Sequence, residues 1–345
     1  MSQIIKNQHY IPRSYLKNFG YLVSEYTRPS GKVDKKYSIH NIEKGGDIKV
    51  NSTKKVCKME YLYDLPFADE QHRQFIEKAY DKEVDRHFAE VTEFISDESN
   101  KILSDEMREK LLKCTLSLYF RTPKHVAISD KEKMIVGRLP SAKKQHMTNL
   151  FKTKRLEAHL ENFKKLYEQK KSNGICVNRA VGDWDFISGD NPVIIRSPSG
   201  QFVDVFSPDN IIHVPFSPKF CITIMPDTET KEVPTFTRYD YPNHHIMTIN
   251  YDIEEHHEQY IFGSEQALND YVNASPAYKA PASENDPRVL AIKNTVLGMQ
   301  HFTKVLEQYG PFSKESRAVF LYYWHSIPAF KEDPNNIKLK KQLGY

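Results

Sequence analysis

The sequence predicts an α+β fold: N-terminal strands, central helices, an antiparallel or mixed sheet, then C-terminal helices. Three observations carry this. Short β-branched and aromatic runs, bounded by Gly, Pro, Asn and Asp, fill residues 21–66 and 174–249. Between them, residues 69–171 space their apolar side chains three and four apart. No segment repeats, and 19 prolines with 13 glycines argue against a pure helical bundle.

The chain opens on a hook, His9 to Gly20. Pro12 pushes Ile11 toward an extended backbone, so a helix can start at Pro12 but not run through it. Tyr15, Leu16 and Phe19 share one face of that turn, and Gly20 stands where a helix stop is expected. His9 and Tyr10 are then expected at the helix entrance, beside free backbone N–H groups. Tyr21–Val23 and Tyr37–Ile39 flank Pro29-Ser30-Gly31 and predict a hairpin, and Lys55–Met59 and Tyr61–Tyr63 continue in strand character.

From Asp69 the period changes. Ile76, Tyr80, Val84, Phe88, Val91 and Ile95 predict one amphipathic helix. Ser104, followed by Asp105 and Glu106, predicts an N-cap, and Pro123 ends the helix so begun. Residues 126–171 form a basic helical segment, split by Pro140. Strands are expected at Ile175–Val177, Trp184–Ile187, Val193–Ile195, Ile211–Val214, Phe220–Ile224 and His245–Ile249. Residues 251–258 and 264–272 read as helices, with Tyr260–Phe262 between them. After Pro281 a polar linker leads to helical segments near 287–308 and 313–330. The expected division is a main α+β domain over 1–275 and a C-terminal helical extension over 276–345.

The hook has the form H-x-x-P-x-x-Y-L-x-x-F. In order after it come Tyr63, Arg121-Thr122-Pro123, the block Ser188 to Val193, Pro215 to Pro218, and Asn250. This series, over residues 7–263, resembles an uncharacterised, mostly bacterial family known as domain of unknown function 4238. The departures are Tyr10, where members often carry His or Phe, and Gly189, which shifts the spacing of Ser188 from Asp190. The resemblance implies a domain and candidate positions, and no reaction.

Composition bounds the rest. Hydrophobic residues at 39% and aromatics at 12% can build a core over 345 residues. No apolar run approaches a bilayer span, and the start lacks a long apolar core, so a cytoplasmic protein with no membrane partner is expected. Cys57, Cys114, Cys176 and Cys221 form no C-x-x-C pair, which suits a reducing compartment and speaks against a zinc ribbon. The net charge of +4 permits nucleic-acid binding without indicating it. Phosphate-loop, dinucleotide and nucleophile-elbow motifs are missing, which disfavours those enzyme classes.

Asp190 and Asn191 follow a strand end and are held extended by Pro192, where they can bind a metal, orient water or cap backbone groups. Glu77 with Asp81, and Glu83 with His87, are i,i+4 pairs. Arg121 ends a helix and can grip a carboxylate or phosphate bidentately. Of His244-His245 and His256-His257, at most one in each pair would face a metal from a strand.

Two readings follow. In the first the protein cleaves phosphodiesters, most simply as a nuclease, in a role such as anti-phage defence or toxin action. His9, Arg121, Asp190, Asn191, Glu77 and Glu83 are then the catalytic candidates, and Asp190 and Glu83 would hold a divalent ion, Mg or Mn. Tyr10, Arg13, Tyr15, Lys143, Lys144, Lys152, Lys154 and Asn250 would contact the substrate, with the basic helices on the nucleic-acid backbone. In the second reading the polar motifs are buried networks in a non-catalytic sensor module that binds a protein, a further copy of the chain or a small ligand. Convergence of His9, Arg121 and Asp190 in one open cleft separates the two.

Overall fold

The computed structural model describes residues 6–68, 72–127, 129–197, 202–226, 235–274, 301–326, 330–331 and 334–343. Strand β1 (Asn7–His9) leads through Pro12 into helix α1 (Arg13–Phe19), which buries Tyr15, Leu16 and Phe19. Gly20 follows in an extended conformation, not the left-handed one of a glycine helix stop. Glycine is needed there for space: a Cβ would lie 2.5 Å from the Ser38 carbonyl oxygen.

The hairpin forms as expected. β2 (Tyr21–Thr27) pairs antiparallel with β3 (Val33–Glu43), and Gly31 takes a positive φ of 78° in the turn. β4 (Ile48–Ser52) also joins β3. β5 (Lys58–Glu60) pairs with β1 in a separate two-stranded sheet. Strand character stops there. Tyr61–Tyr63 form a turn, so Tyr63 does not end a strand.

The single helix expected after Asp69 is broken. α2 (Phe75–Glu83) ends at Val84, Asp85–His87 form a 3-10 turn, and α3 (Phe88–Ser96) resumes. All six periodic residues are still buried, so the apolar face continues across the break while Asp85 turns toward Arg121. α4 (Asp105–Arg121) starts under a Ser104 cap that accepts from the Met107 N–H, and Pro123 opens the short α5 (Pro123–Val126). α6 (Asp130–Gly137) and α7 (Ser141–Lys170) are separated by Pro140, as predicted.

The second half builds a five-stranded sheet in the order β11-β6-β10-β9-β8, from β6 (Ile175–Ala180), β8 (Ile194–Arg196), β9 (Ile211–Ser217), β10 (Phe220–Ile224) and β11 (Phe236–Tyr241). β11 runs parallel to β6, and the other pairings are antiparallel. β7 (Ser188–Gly189) and β12 (Tyr260–Gly263) instead complete the N-terminal sheet, in the order β2-β3-β12-β7.

Two expected strands are not there. His245–Ile249 lies inside α8 (Asn243–His256), where Ile246, Ile249 and Ile253 form a buried helical face. Spacing of three and four therefore decides over β-branching. Trp184–Ile187 is irregular backbone, held by the Asn250 side chain: its Oδ1 accepts from the Ile187 N–H at 3.0 Å and its Nδ2 donates to the Asp185 carbonyl at 2.9 Å.

Helix α9 (Glu265–Ala274) packs against β3, β4 and β12. Residues 301–309 (α10), α11 (Lys314–Ser326) and α12 (Pro334–Gln342) are helical, and Phe302, Phe320, Phe330 and Leu343 form a hydrophobic cluster of their own. Residues 275–300, which contain the expected linker and most of the 287–308 helix, lie outside the described residues. No helix among the described residues is long and apolar enough to cross a membrane.

Candidate functional site

The motif residues of the sequence touch one another. The Tyr15 hydroxyl bonds the Ser188 hydroxyl at 2.7 Å and donates to the Pro215 carbonyl, which ties the hook to both sheets. Tyr15 is fully buried among Phe19, Phe88, Phe216 and Phe262, so it is a core tie and does not face a substrate. Asn250, the other distant motif residue, is likewise enclosed by backbone groups and holds residues 185–187.

Arg121 is 1% exposed and grips Asp85 with both terminal nitrogens. Its guanidinium stacks 4.4 Å from the Tyr80 ring centre, and Nη2 reaches the His9 carbonyl at 3.4 Å. The Tyr63 hydroxyl donates to the Arg121 carbonyl at 2.7 Å. Arg121 and His9 therefore meet, through a backbone oxygen. A buried arginine clamped by its own carboxylate ties α4 to the 3-10 turn between α2 and α3.

Asp190 is held elsewhere. Its Oδ1 accepts from the Glu258 N–H and its Oδ2 from the Gln259 N–H, each at 2.8 Å. Burial raises its pKa and these amides oppose the rise. Asn191 donates to the His256 carbonyl at 3.1 Å. The Asp190-Asn191 turn thus fastens the end of α8, and Glu83 is exposed and faces Lys113 at 3.8 Å. The two residues expected to share a metal are committed to different partners. Among the described residues no group of three or more His, Cys, Asp or Glu is placed to hold a metal ion.

Around Arg121 one acid is poised. Burial, opposed by Arg121 and reinforced by Asp85, Asp81 and Asp64, pushes the half-buried Glu77 up to about 7. Its Oε2 has no hydrogen-bond partner among the described residues, and neither do His9 Nε2, Arg13 Nε and Arg121 Nε. Burial, with Arg13, Lys58 and Arg121 near it, pushes His9 down to about 4, so it is neutral near pH 7. Tyr10 is buried against Cys57, whose thiol its hydroxyl bonds, and burial raises the pKa of both. Tyr10 therefore packs and does not face outward as a substrate contact would.

The charged face lies on α7. Its first buried residue is Leu156; Lys143 and Lys154 are exposed, while residues 147–153 are half-buried against neighbouring elements. Its first half, residues 141–155, carries Lys143, Lys144, Lys152, Lys154 and Arg155 and no acid. Arg155 pairs with Glu132 of α6, while Lys143, Lys144 and Lys154 make no ion pair among the described residues. Lys152 is not a free phosphate contact. Its Nζ donates to the Tyr61 carbonyl at 2.6 Å, and burial lowers its pKa. Beside it opens a pocket of about 310 Å³, lined among others by Tyr61, Asp64, Arg73, Asn149 and Lys152.

The interlocking of hook, Tyr63, Arg121, Ser188, Pro215 and Asn250 gives the ordered motifs a physical meaning: they are the joints of one fold. A family model described as "Protein of unknown function (DUF4238)" matches residues 7–267. The chain belongs to the DUF4238 family. No curated protein matches the chain, and no solved structure does. The family region thus includes the broken helix, the basic half of α7 and the pocket beside it. Asp85, Tyr61, Asp64, Arg73 and Asn149 carry no signal in the sequence, since each acquires its role only from a long-range neighbour.

Proposed function

We propose that this DUF4238 protein binds a nucleic-acid backbone and, in its catalytic form, cleaves phosphodiesters as a nuclease. The observation that carries the reading is the basic half of α7, partly exposed, free of acids and adjoining a pocket. Clustered lysines without carboxylate partners attract phosphates with little competition inside the protein. Glu77, near enough to Asp64 of the pocket wall to feel its charge, has a carboxyl pushed up to about 7, which suits proton transfer at neutral pH. Among the catalytic candidates read from the sequence, Glu77 is assigned the acid–base role. Four buried free thiols suit a reducing, cytoplasmic setting.

A second reading, a non-catalytic sensor module, is favoured by one fact: Arg121 and Asp190 are each enclosed with their own partners. Lys143, Lys144 and Lys154 replaced together by Glu should abolish salt-sensitive retention on a polyanion column while the thermal melt stays in place. Unchanged elution would overturn nucleic-acid binding. If binding is present, a Glu77→Gln variant tests cleavage: equal turnover of a labelled substrate by variant and wild type would remove Glu77 from the reaction, and no turnover by either would leave the sensor.

A further inference from the structure

We propose that the pocket between Tyr61 and α7 receives an unpaired nucleobase, so that the partner is single-stranded nucleic acid. This rests on the backbone-binding reading above and narrows its substrate class.

Three features of the pocket argue for a base. The first is aromatic surface beside cations. Phe67 is 51% exposed and its ring lies 5.4 Å from that of His146 on α7, three and two residues along from Lys143 and Lys144. Phe67 stands in sequence between Pro66 and Ala68 of the pocket lining, and its exposed ring offers a base a planar surface.

The second is the conformation of Tyr61. Its φ is +51°, unfavourable for an aromatic residue that is not glycine. The turn is held at both ends: the Tyr61 N–H donates to the Lys6 carbonyl at 2.9 Å, and its carbonyl accepts from Lys152 Nζ at 2.6 Å. What the strained backbone achieves is to set the ring against Arg73, whose guanidinium carbon lies 5.4 Å from the ring centre. An aromatic ring layered with a guanidinium is a stacking platform for a base.

The third is the charge balance of the lining. Asp64 would repel phosphate, but it is 3% exposed and accepts from Gln8, Arg73 and Gln74 at 2.9, 2.7 and 3.1 Å. Its charge is absorbed internally, and it fixes Arg73 in place. Asn149, from α7, also lines the pocket; its Oδ1 accepts from Gln145 at 2.9 Å, which leaves its Nδ2 to donate to a base edge. Duplex DNA or RNA keeps its bases stacked inside the helix and would pay an unpairing cost to offer one, so a single strand is favoured.

Binding is measured by fluorescence anisotropy with a labelled thymidine oligonucleotide and with a duplex of the same length, over a salt series. The single strand should bind tighter than the duplex. Phe67→Ala should weaken single-strand binding about tenfold without changing the salt slope, and Asn149→Ala should weaken it as well. Both side chains reach the surface or the pocket, and matching thermal melts show whether each variant is folded. Equal affinity for the two probes, with neither variant altering it, overturns the base pocket. If that binding is still lost on replacing Lys143, Lys144 and Lys154 by Glu, the backbone reading stands without it. Binding of neither probe at low salt overturns both.

Discussion

Arg121 and Asp85 form a bidentate pair at the point where the helix after Asp69 breaks, with Nη2 to Oδ2 at 3.1 Å and the second bond alongside. The 3-10 turn Asp85–His87 interrupts an apolar face that is otherwise continuous from Ile76 to Ile95. One helix could bury those same residues. The break brings a carboxylate to an arginine that the core encloses, and Tyr80, Tyr63 and the His9 carbonyl complete its surroundings.

Removing Asp85 leaves Arg121 buried and uncompensated, whereas Asp85 without Arg121 stays a quarter exposed. Asp85→Ala should therefore cost about 3–5 kcal/mol, while exchanging both Arg121 and Asp85 for apolar residues of similar volume should cost far less. Urea unfolding of the two single variants and the double variant forms a cycle that measures the coupling. Near-additive losses would show that the pair is not the tie described. Loss of activity in Arg121→Ala would therefore report the fold before it reports chemistry.

The hook is a second tie. Phe19 is 3% exposed and packs 5.5 Å from Phe262, ring centre to ring centre. Phe19→Ala should destabilise by about 3–5 kcal/mol. Gly20→Ala tests a different contact, because its Cβ would press on the Ser38 carbonyl at 2.5 Å although its φ of −102° suits any residue. Thermal melts should drop in both variants. A Gly20→Ala melt at the wild-type temperature would show that β3 yields easily there.

Much of the fold was legible because it rests on local signals. Pro12, Ser104, Pro123 and Pro140 mark helix boundaries whatever the chain does elsewhere. The errors have two sources. Ile246 and Ile249 read as strand residues by β-branching, although their local spacing from Ile253 places all three on a helix face, and Ile187 finds the distant Asn250 where a strand neighbour was expected. The candidate site was less legible for the second reason. Prolines do mark rigid positions, and His9, Arg121 and Asp190 all stand near one. Rigidity, though, serves a structural joint as well as a catalytic centre, and here Arg121 and Asp190 became joints. Glu77 was visible as a residue, but burial beside Arg121, which sets its acidity, is a property of the folded chain alone.

That burial makes stability depend on pH with two opposed signs. Glu77 has a folded pKa raised to about 7, so the native state binds more protons than the unfolded chain. Its contribution is fully present below the unfolded value near 4.5 and is lost as pH rises through 7. At about 1.4 kcal/mol per unit, this amounts to about 3 kcal/mol. The buried histidines run the other way. Burial pushes His9, His125 and His213 down to about 4 and His159 to about 3. Their contribution is present above pH 6.5 and lost as pH falls toward 4. The protein should therefore lose stability in acid between pH 6.5 and 4. Glu77→Gln separates the two effects, because glutamine stays neutral throughout. Relative to wild type, the variant should gain about 3 kcal/mol in urea unfolding between pH 4.5 and pH 8. A wild-type-to-variant difference that holds constant across this range would mean that Glu77 titrates like any exposed carboxylate, and would withdraw it as the acid–base residue of the site.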